Sequence, residues 1–491
     1  MIRLWLRVFF QKCCIGLFDT GQLLKILKVM GNHGVEKIMD LYKFINRYFI
    51  YPLYYFKNKD RRLQRLKEIE STLQLEKIEV EKNQLESLKA IIKYAYQHTP
   101  YYRKLMDDEG INPDSIRSFS DIHKIPLLSK KDIQDNCDQM ISDEYDKSDL
   151  RQDSSGGSTG EPTIFYRTLE NLQLRAADQI RHDKWSGWDI GERMGLVWGA
   201  QRDLSASKSM KEFIISRYIA RIWELDAFEM TEQKMLEYTH TLEKIQPKMI
   251  LGYANALVEF SKYLLKHQPN HTISLRGIVS SAETLTEEKR HLIEQAFKCK
   301  VLNRYGSREV GLIASECKQQ SGLHINSDSI YLEIVKSGQP VSDGENGDIL
   351  ITDLTNKAMP LIRYKLGDVG RKSTHACQCG NPLPLLDKVE GRTGDFFVTP
   401  QGSLVHGEYF THLFYGIDEV IQFQVIQETL QDITLKLVTK AGASCASYID
   451  EFKQKTNEIL NNNCNFDVQF VDKIEPTKTG KLLFTISKVN N

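Results

Sequence analysis

The pattern of apolar and polar residues changes twice along the chain. Residues 57–98 place leucine and isoleucine at helical spacing among mixed charges, as at Leu85, Leu88 and Ile92, which predicts a helical lead-in. From about residue 150, short apolar runs such as 194–198 alternate with longer amphipathic stretches. The helix-like stretches are 231–245, 254–266 and 285–298. This alternation predicts an α/β sheet flanked by helices.

The pattern changes again toward the C-terminus. Two strand-like runs joined by a turn-rich segment, 330–335 and 348–352, predict a β-hairpin extension. After Gly391 the chain predicts strands at 420–427, 432–439, about 466–472 and 482–487, with a helix near 448–461. We therefore expect three parts: a helical extension over 1–95, a large α/β domain over 96–394 and a small α+β domain over 395–491.

Charge and cysteine content restrict the classes of function. The 491 residues include 65 basic and 65 acidic side chains, so a general nucleic-acid-binding role has little electrostatic support, whereas a small anionic ligand is compatible. Nine cysteines without regular spacing argue against a disulfide framework and for a reducing, cytoplasmic location. Oligomeric state is not visible in the sequence.

The first fifty residues are basic and aromatic. Charges interrupt residues 1–12 every few positions, so we expect neither a signal peptide nor a spanning helix there. Two interpretations remain for this segment. It is either an irregular helical extension packed on the main domain, or a peripheral contact with the inner membrane surface.

A loop rich in serine and glycine carries the first chemical signal. Residues 156–162 follow Ser154 and Ser155 and precede an apolar β-like run at 164–166. Glycines let the backbone approach phosphate oxygens, and hydroxyls add donors without charge, so the loop suits a polyphosphate. A solvent-exposed turn is the alternative. The pattern of a nucleotide-hydrolysing P-loop does not occur in this sequence.

Further motifs follow the loop in a fixed order. They are 305–309 (Tyr-Gly-Ser-Arg-Glu), 362–368 (Ile-Arg-Tyr-Lys-Leu-Gly-Asp), 391–395 (Gly-Arg-Thr-Gly-Asp) and 476–481 (Pro-Thr-Lys-Thr-Gly-Lys). Together with the loop, they resemble the adenylate-forming superfamily, and most closely its phenylacetate-CoA ligase and CapK branch. Thr163 supports that branch, because most of the superfamily carries a lysine there. The resemblance covers residues 95–491 and implies a large nucleotide- and carboxylate-binding domain with flanked β-sheets, followed by a small mobile α+β domain.

The resemblance also implies roles for individual residues. The loop would hold the β- and γ-phosphates of ATP through Ser155, Ser158, Thr159 and Gly160. Glu309 would hold Mg²⁺, and Tyr305, with Gly306 and Ser307, would lie against adenine. Asp368 would accept hydrogen bonds from the ribose hydroxyls. Arg392 would reach the ribose or phosphate, and Lys481 would bridge the α-phosphate and the carboxylate. Asp395 matches the hinge about which the small domain of such enzymes rotates.

Two further segments are candidates for the same site. Ser281, Ala282 and Glu283 occupy the position of a family segment that borders the nucleotide and the acyl group, although Ser280 replaces the glycine commonly found before it. Residues 197–199 and 252–253 line either the carboxylate pocket or the core, and the sequence alone leaves both open.

A second, chemically independent set consists of three cysteines and one histidine. Cys317 and His324 lie in one short segment, and Cys377 and Cys379 lie in another. Three thiolates and one imidazole form a common closed set for structural Zn²⁺. The alternative is three unrelated thiols and a surface histidine. We expect zinc, because the paired cysteines lie in a polar loop rather than in an apolar run.

The sequence as a whole predicts an ATP- and Mg²⁺-dependent ligase that activates a carboxylic acid as acyl-AMP and then transfers the acyl group. The acceptor would be an amine in a CapK-like enzyme of surface-polysaccharide biosynthesis, or the thiol of coenzyme A in a phenylacetate-CoA-ligase-like enzyme. A non-catalytic nucleotide- or zinc-binding scaffold is the rival class. The sequence does not identify the acid.

Overall fold

The structure is a computed structural model that describes most of the chain. The described residues are 41–155, 163–198, 209–227, 230–392, 396–400, 404–406, 409–410, 413–414, 417, 419–440, 446–461, 463–475 and 484–489. The side chains of Ser155 and Arg392 are not among the described parts. The hinge residue Asp395 and residues 1–40 of the N-terminal extension likewise lie outside the described residues.

Four helices of the described part, at 232–245, 254–267, 287–297 and 446–460, lie within a few residues of the predicted positions, whereas the helix at 169–185 was not predicted. The helices of the described part are α1 Tyr51–Lys57, α2 Arg62–Thr72, α3 Lys77–His98, α4 Pro100–Asp108, α5 Lys130–Asp135, α6 Leu169–Trp185, α7 Met210–Ile214, α8 Glu232–Ile245, α9 Ala254–His267, α10 Glu287–Phe297 and α11 Ala446–Leu460. Local sequence explains several boundaries. Glu76 and Glu79 form a reciprocal capping box at the start of α3, and Pro100 occupies the first turn of α4, where its missing N–H costs nothing.

The strands form one large sheet and three smaller ones. They are β1 Arg151–Ser155, β2 Thr163–Arg167, β3 Met194–Trp198, β4 Ile222–Asp226, β5 Met249–Tyr253, β6 Gly277–Ser281, β7 Val301–Ser307, β8 Gly311–Glu316, β9 Leu323–Ile325, β10 Ile330–Lys336, β11 Gln339–Pro340, β12 Gly347–Asp353, β13 Tyr364–Lys372, β14 Leu385–Arg392, β15 Phe396–Val398, β16 Leu404–His406, β17 Val420–Gln427, β18 Asp432–Thr439, β19 Asn465–Phe470 and β20 Thr485–Ser487. The mixed α/β class predicted from the sequence is confirmed.

The pairing of strands in the large sheet changes from parallel to antiparallel at β7. The strand order is β11-β10-β12-β13-β14-β9-β8-β7-β6-β5-β3-β4. The five strands from β4 to β7 pair in parallel, and every pair from β7 to β11 is antiparallel. Helices α8, α9 and α10 connect successive parallel strands and cover them, which explains why β6 is apolar and buried along most of its length. Ligands of such sheets bind beyond the carboxyl ends of the parallel strands.

Helix α3 packs directly into the core of the large domain. Leu88, Ile91, Ile92 and Ala95 are buried with side chains of the antiparallel half of the sheet. The helix therefore spans residue 95, where the sequence placed the end of the extension. The domain limits at 95 and 395 stay a prediction.

The C-terminal part contains a four-stranded sheet of order β19-β18-β17-β20 with α11 beside it. Its strands and helix lie within a few residues of the predicted positions. Gln427, fully buried on β17, ties β15 to this sheet. Its Nε2 donates to the Val398 carbonyl at 2.8 Å, and its Oε1 accepts from the Val398 N–H at 2.9 Å, so a side-chain amide replaces a strand partner.

Candidate active site and metal centre

Four parallel strands end side by side at the proposed ligand-binding edge. The register places Val197 opposite Gly252, Tyr253 opposite Ser281, and Ser281 opposite Arg304, next to Tyr305. After β7 the chain turns back into antiparallel β8, so residues 308–310 lie at the point where the sheet changes direction. The motif 305–309 therefore occupies the place where a sheet of this type offers a ligand site.

Tyr305 and Asp368 meet across the sheet. The Tyr305 hydroxyl donates a hydrogen bond to Asp368 Oδ2 at 2.5 Å. Three strands separate β7 from β13 in the sheet order, and a flat sheet would hold these two strands roughly 19 Å apart. The sheet must therefore bend strongly between them. The structure thus brings together two of the residues predicted to contact adenine and ribose.

Arg392 joins this pair through its backbone. In the pairing of β13 with β14, Asp368 lies opposite Arg392, beside a register shift in the ladder. The left-handed backbone of Gly367, with φ of 86°, precedes Asp368 and suits glycine. The backbone position of Arg392 is therefore close to the predicted nucleotide site.

The turn after β7 buries the carboxylate of Glu309 and is held from behind by two arginines. Arg167 on β2 donates to the carbonyls of Arg308 and Glu309, and Arg175 on α6 donates to the carbonyl of Arg308 at 3.2 Å. Gly311 has φ of 83°, and a Cβ there would come within 2.5 Å of the Arg175 guanidinium. Glycine at 311 thus permits both the turn and the close approach of Arg175.

Arg167 and Arg175 are site residues that were not predicted from the sequence. A signal existed for Arg167, because Thr163, Phe165 and Arg167 alternate along β2 and all three are almost fully buried. Nothing in the pattern of α6 distinguishes Arg175 from a surface arginine. Both side chains donate hydrogen bonds to backbone carbonyls of residues that are far away in the sequence.

A hairpin brings together the two ends of the predicted phosphate loop. Strands β1 and β2 pair antiparallel, with Ser155 opposite Thr163. Asp153 on β1 accepts from Nη1 of Arg167 on β2 at 3.0 Å, and Nη2 of Arg167 donates to the Glu309 carbonyl, which connects the hairpin to the Glu309 turn. The predicted loop residues Ser158, Thr159 and Gly160 and the predicted catalytic lysine, Lys481, lie outside the described residues. Their roles stay predictions.

The segment after β6 adopts a strained but well-anchored turn. Ala282 has φ of 68°, a left-handed conformation that costs a residue with a Cβ about 1–3 kcal/mol. Glu283 accepts a hydrogen bond from the N–H of Asn255 at 2.7 Å, so its carboxylate lies at the positive N-terminus of α9. Ser281 is the neighbour of Arg304 across the sheet. These residues border the site, and any contact with a nucleotide stays a prediction.

The two candidate pocket segments divide between core and edge. Val197 and Gly252 are buried between strands, as the core interpretation expected. Trp198 and Tyr253 are half-buried at the strand ends, with ring centroids 4.2 Å apart. Their rings form one aromatic wall beside the site, while Gly199 lies outside the described residues. Of the predicted adenine motif, Ser307 accepts a hydrogen bond from the N–H of Val310 at 3.3 Å, and Gly306 packs against the Gly311 carbonyl.

The three cysteines and the histidine converge on one point. The ligand atoms of Cys317, His324, Cys377 and Cys379 all lie within 4.8 Å of one another. Sγ of Cys317 is 3.6 Å from Sγ of Cys377, and Sγ of Cys379 is 3.4 Å from His324 Nε2. A tetrahedral zinc ion with ordinary bond lengths would separate two sulfurs by about 3.8 Å and a sulfur from a nitrogen by about 3.5 Å. The geometry therefore fits zinc.

The surroundings of this cluster support the same ligand set. The second ring nitrogen of His324 lies 3.4 Å from the Leu383 carbonyl, a typical outer contact of a metal-bound histidine. Burial raises the pKa of the Cys317 thiol to about 12 and lowers the pKa of His324 to about 4. Without a cation the thiol thus stays protonated, whereas a bound metal stabilises the thiolate.

Comparisons with known proteins find similarity over nearly the whole chain. Residues 397–488 match the CapK C-terminal domain. Protein CapK of Staphylococcus aureus is 24% identical over 475 residues, covering 94% of this chain and 100% of CapK. Phenylacetate-coenzyme A ligase of Thermus thermophilus is 27% identical over 372 residues, covering 72% of this chain and 80% of that protein. The ligase of the same name from Escherichia coli is 29% identical, covering 65% of this chain and 72% of its own length.

Solved structures agree on the fold. A crystal structure of 2-hydroxyisobutyryl-CoA ligase in the postadenylation state superposes with a TM-score of 0.66 and 17% identity, covering 85% of this chain and 91% of that chain. The resemblance predicted from the motifs is confirmed: the chain is a relative of CapK and of phenylacetate-coenzyme A ligases, and it has the fold of the adenylate-forming enzymes.

Proposed function

We propose that this protein is an ATP- and Mg²⁺-dependent, AMP-forming ligase that activates a carboxylic acid. The observation that carries this proposal is the assembly of Tyr305, Asp368 and the Glu309 turn at one edge of the sheet, from segments as much as 63 residues apart. A scaffold would not need a buried carboxylate at the point where the sheet changes direction, next to the β1–β2 hairpin. ATP–pyrophosphate exchange across classes of carboxylic acids tests the proposal.

The chemistry follows from the charges that the chain supplies. Attack of the substrate carboxylate on the α-phosphate of ATP forms the acyl-phosphate bond and releases pyrophosphate. Glu309 would hold Mg²⁺, which neutralises phosphate charge when bound. Asp368 would accept hydrogen bonds from the ribose hydroxyls, and Tyr305 would lie against adenine. Lys481 would bridge the α-phosphate and the substrate carboxylate. A nucleophile then displaces AMP from the acyl-AMP.

The acceptor in the second step is the finer part of the proposal. We favour a CapK-like enzyme with an amine acceptor in surface-polysaccharide biosynthesis. The support is that the CapK similarity extends over nearly the whole chain, and that the C-terminal domain is of the CapK type. Coenzyme A is the alternative, supported by similarity to phenylacetate-coenzyme A ligases over about two thirds of the chain. An amino sugar and coenzyme A, offered separately to the acyl-AMP enzyme, distinguish the two by whether an amide or a thioester forms.

A structural zinc ion at Cys317, His324, Cys377 and Cys379 is part of the same proposal. The cluster lies between the β8–β9 turn and the β13–β14 connection, and β14 pairs with β9 at His324. Zinc at this position would join the β13–β14 connection to the end of β8, which pairs with β7. The support is the complete tetrahedral donor set and its spacing.

We also propose a peripheral membrane contact at one surface of the large domain. Residues 41–57 form a helix with a π-helical section, Asn46–Ile50, and Tyr42 and Asn46 bond to the Tyr218 carbonyl. The exposed large apolar side chains of residues 41–57 and 210–220 are Phe44, Tyr48, Leu53, Phe56, Met210, Phe213, Ile214 and Tyr218. Within the described residues, no helix has the length and apolar composition of a membrane span. Flotation with anionic phosphatidylglycerol vesicles, compared with neutral phosphatidylcholine vesicles, tests the contact.

A further inference from the structure

One buried arginine connects the two segments that are proposed to hold the triphosphate. Arg167 is 1% exposed, and its guanidinium extends in two directions. Nη1 donates to Asp153 Oδ2 at 3.0 Å, on the strand that leads into loop 156–162. Nη2 donates to the carbonyl of Glu309 at 2.9 Å and to that of Arg308. The side chain therefore fixes the base of the loop relative to the turn that carries Glu309.

Further positive charge surrounds this connection. Arg308 Nη1 lies 3.9 Å from Asp153 Oδ1, and Arg175 donates to the Arg308 carbonyl. Arg175 Nη1 is inaccessible to solvent and has no hydrogen-bond partner among the described residues. Burial, followed by the nearby charge of Arg167, lowers the pKa of Arg175 to about 10. Three arginine side chains thus contact Asp153 or the backbone of the Glu309 turn, which places positive charge beside the proposed phosphate site.

We propose that Arg167 is a positioning residue that holds the β1–β2 hairpin strands and the Glu309 turn as one unit, so that the β- and γ-phosphates and their Mg²⁺ are bound together. The inference rests on the proposed function. A planar guanidinium presents its donors in fixed, separate directions toward a carboxylate and two backbone carbonyls, whereas the ammonium of lysine is a compact point charge. Arg167 does not itself need to contact the nucleotide.

The proposal predicts a difference between two nucleotides. AMP has neither β- and γ-phosphates nor a requirement for Mg²⁺, and its proposed contacts are near Tyr305 and Asp368. MgATP also needs the β1–β2 hairpin and the Glu309 turn to be held in a fixed position relative to each other. A change at Arg167 should therefore weaken MgATP binding and leave AMP binding nearly unchanged, whereas general damage to the fold would weaken both.

The test is isothermal titration calorimetry of the full chain with AMP and with MgATP. We expect Arg167→Lys to weaken MgATP binding about tenfold or more while AMP affinity changes less than about twofold. Asp153→Asn keeps the buried arginine and alters only a partly exposed partner, so we expect the same direction with a smaller change. Retained AMP binding in either variant also shows that the nucleotide domain is folded.

Arg181→Lys is the matched control. Arg181 is equally buried and likewise bonds a carboxylate and a backbone carbonyl, those of Asp328 and Ile69, but it belongs to neither predicted site. The ratio of MgATP affinity to AMP affinity in the Arg181→Lys variant should equal the ratio in the parent protein. An unchanged ratio in both Arg167→Lys and Asp153→Asn would overturn the inference while leaving the proposed function intact. Failure of the parent to bind either nucleotide would overturn the proposed function and the inference with it.

Discussion

The Tyr305 hydroxyl donates a hydrogen bond of 2.5 Å to Asp368, joining two strands that have three other strands between them in the sheet. The bond orients the carboxylate that is proposed to receive the ribose hydroxyls. It also holds the Tyr305 ring at the carboxyl end of β7. One contact thus links the two halves of the proposed nucleotide site.

Removing this hydroxyl should weaken nucleotide binding moderately. Tyr305→Phe keeps the ring but leaves Asp368 without one donor, so we expect AMP to bind about three- to tenfold more weakly. Asp368→Asn removes the charge and one acceptor, and we expect a loss of about tenfold or more. Titration calorimetry with AMP measures both. Tyr331→Phe changes a buried tyrosine outside the site and should bind AMP as tightly as the parent. The assignment would be contradicted if Tyr305→Phe and Asp368→Asn also bound AMP with the affinity of the parent.

Lys481 should matter for chemistry and not for binding. A cation between the α-phosphate and the carboxylate stabilises charge that develops during adenylation, so Lys481→Ala should lower the rate of acyl-AMP formation by about a hundredfold or more. AMP affinity should stay close to that of the parent. Lys488→Ala is the control, because Lys488 is exposed and pairs with Glu428. Adenylation by Lys481→Ala at the parent rate would show that another group performs this role.

The cysteine and histidine cluster should bind one zinc ion per chain. We expect Cys379→Ser to purify with far less than one equivalent of zinc and with a Tm lower by roughly 5 °C or more, because metal binding contributes directly to folding free energy. Inductively coupled plasma mass spectrometry measures the metal. Cys464→Ser, a half-buried thiol outside the cluster, should retain zinc. A parent protein that purifies without zinc, and whose Tm does not change when a chelator is added, would exclude a structural zinc site.

A buried histidine on α6 should make stability depend on pH. His182 is fully buried, and neither of its ring nitrogens has a hydrogen-bond partner among the described residues. Burial, followed by the charges of Arg181 and Arg304, holds its pKa well below the usual 6.5. Below pH 6.5, His182 therefore binds a proton in the unfolded chain but not in the folded chain. The stability present above pH 6.5 is lost as the pH falls below that value.

Between pH 7.5 and 5.5 this difference amounts to about 1.4 kcal/mol in the free energy of unfolding. His182→Phe should show a smaller loss over the same range by about that amount. Urea unfolding followed by tryptophan fluorescence is suitable, because the Trp185 ring lies 4.1 Å from that of His182. The exposed His375 provides the control substitution, His375→Phe, which should lose as much stability as the parent. Identical losses in all three proteins would contradict the linkage.

Much of the fold could be predicted because its signals are local. Strand β3 was predicted at 194–198 and is found there, and α8 was predicted at 231–245 and is found at Glu232–Ile245. Apolar spacing fixes such elements without reference to distant residues. Strand β1 was missed, because Arg151–Ser155 is polar throughout and is a strand only through its pairing with β2.

The candidate site shows the same limit. Ordered motifs were enough to select Tyr305, Glu309 and Asp368, but the bend that brings β7 to β13 depends on the whole sheet. Arg167 and Arg175 act on backbone carbonyls more than a hundred residues away, which no local pattern reveals. The four proposed zinc ligands, in contrast, could be grouped because their residue types restrict the chemistry so strongly.

The most direct test of the central claim is ATP–pyrophosphate exchange with Mg²⁺ across aryl acids, fatty acids, amino acids and uronic acids. We predict exchange that requires Mg²⁺ and one class of acid, and that is lost in Lys481→Ala. Such a result would establish adenylation and identify the class of substrate. Absence of exchange with every class, in protein that binds MgATP, would contradict the account and favour a nucleotide-binding scaffold.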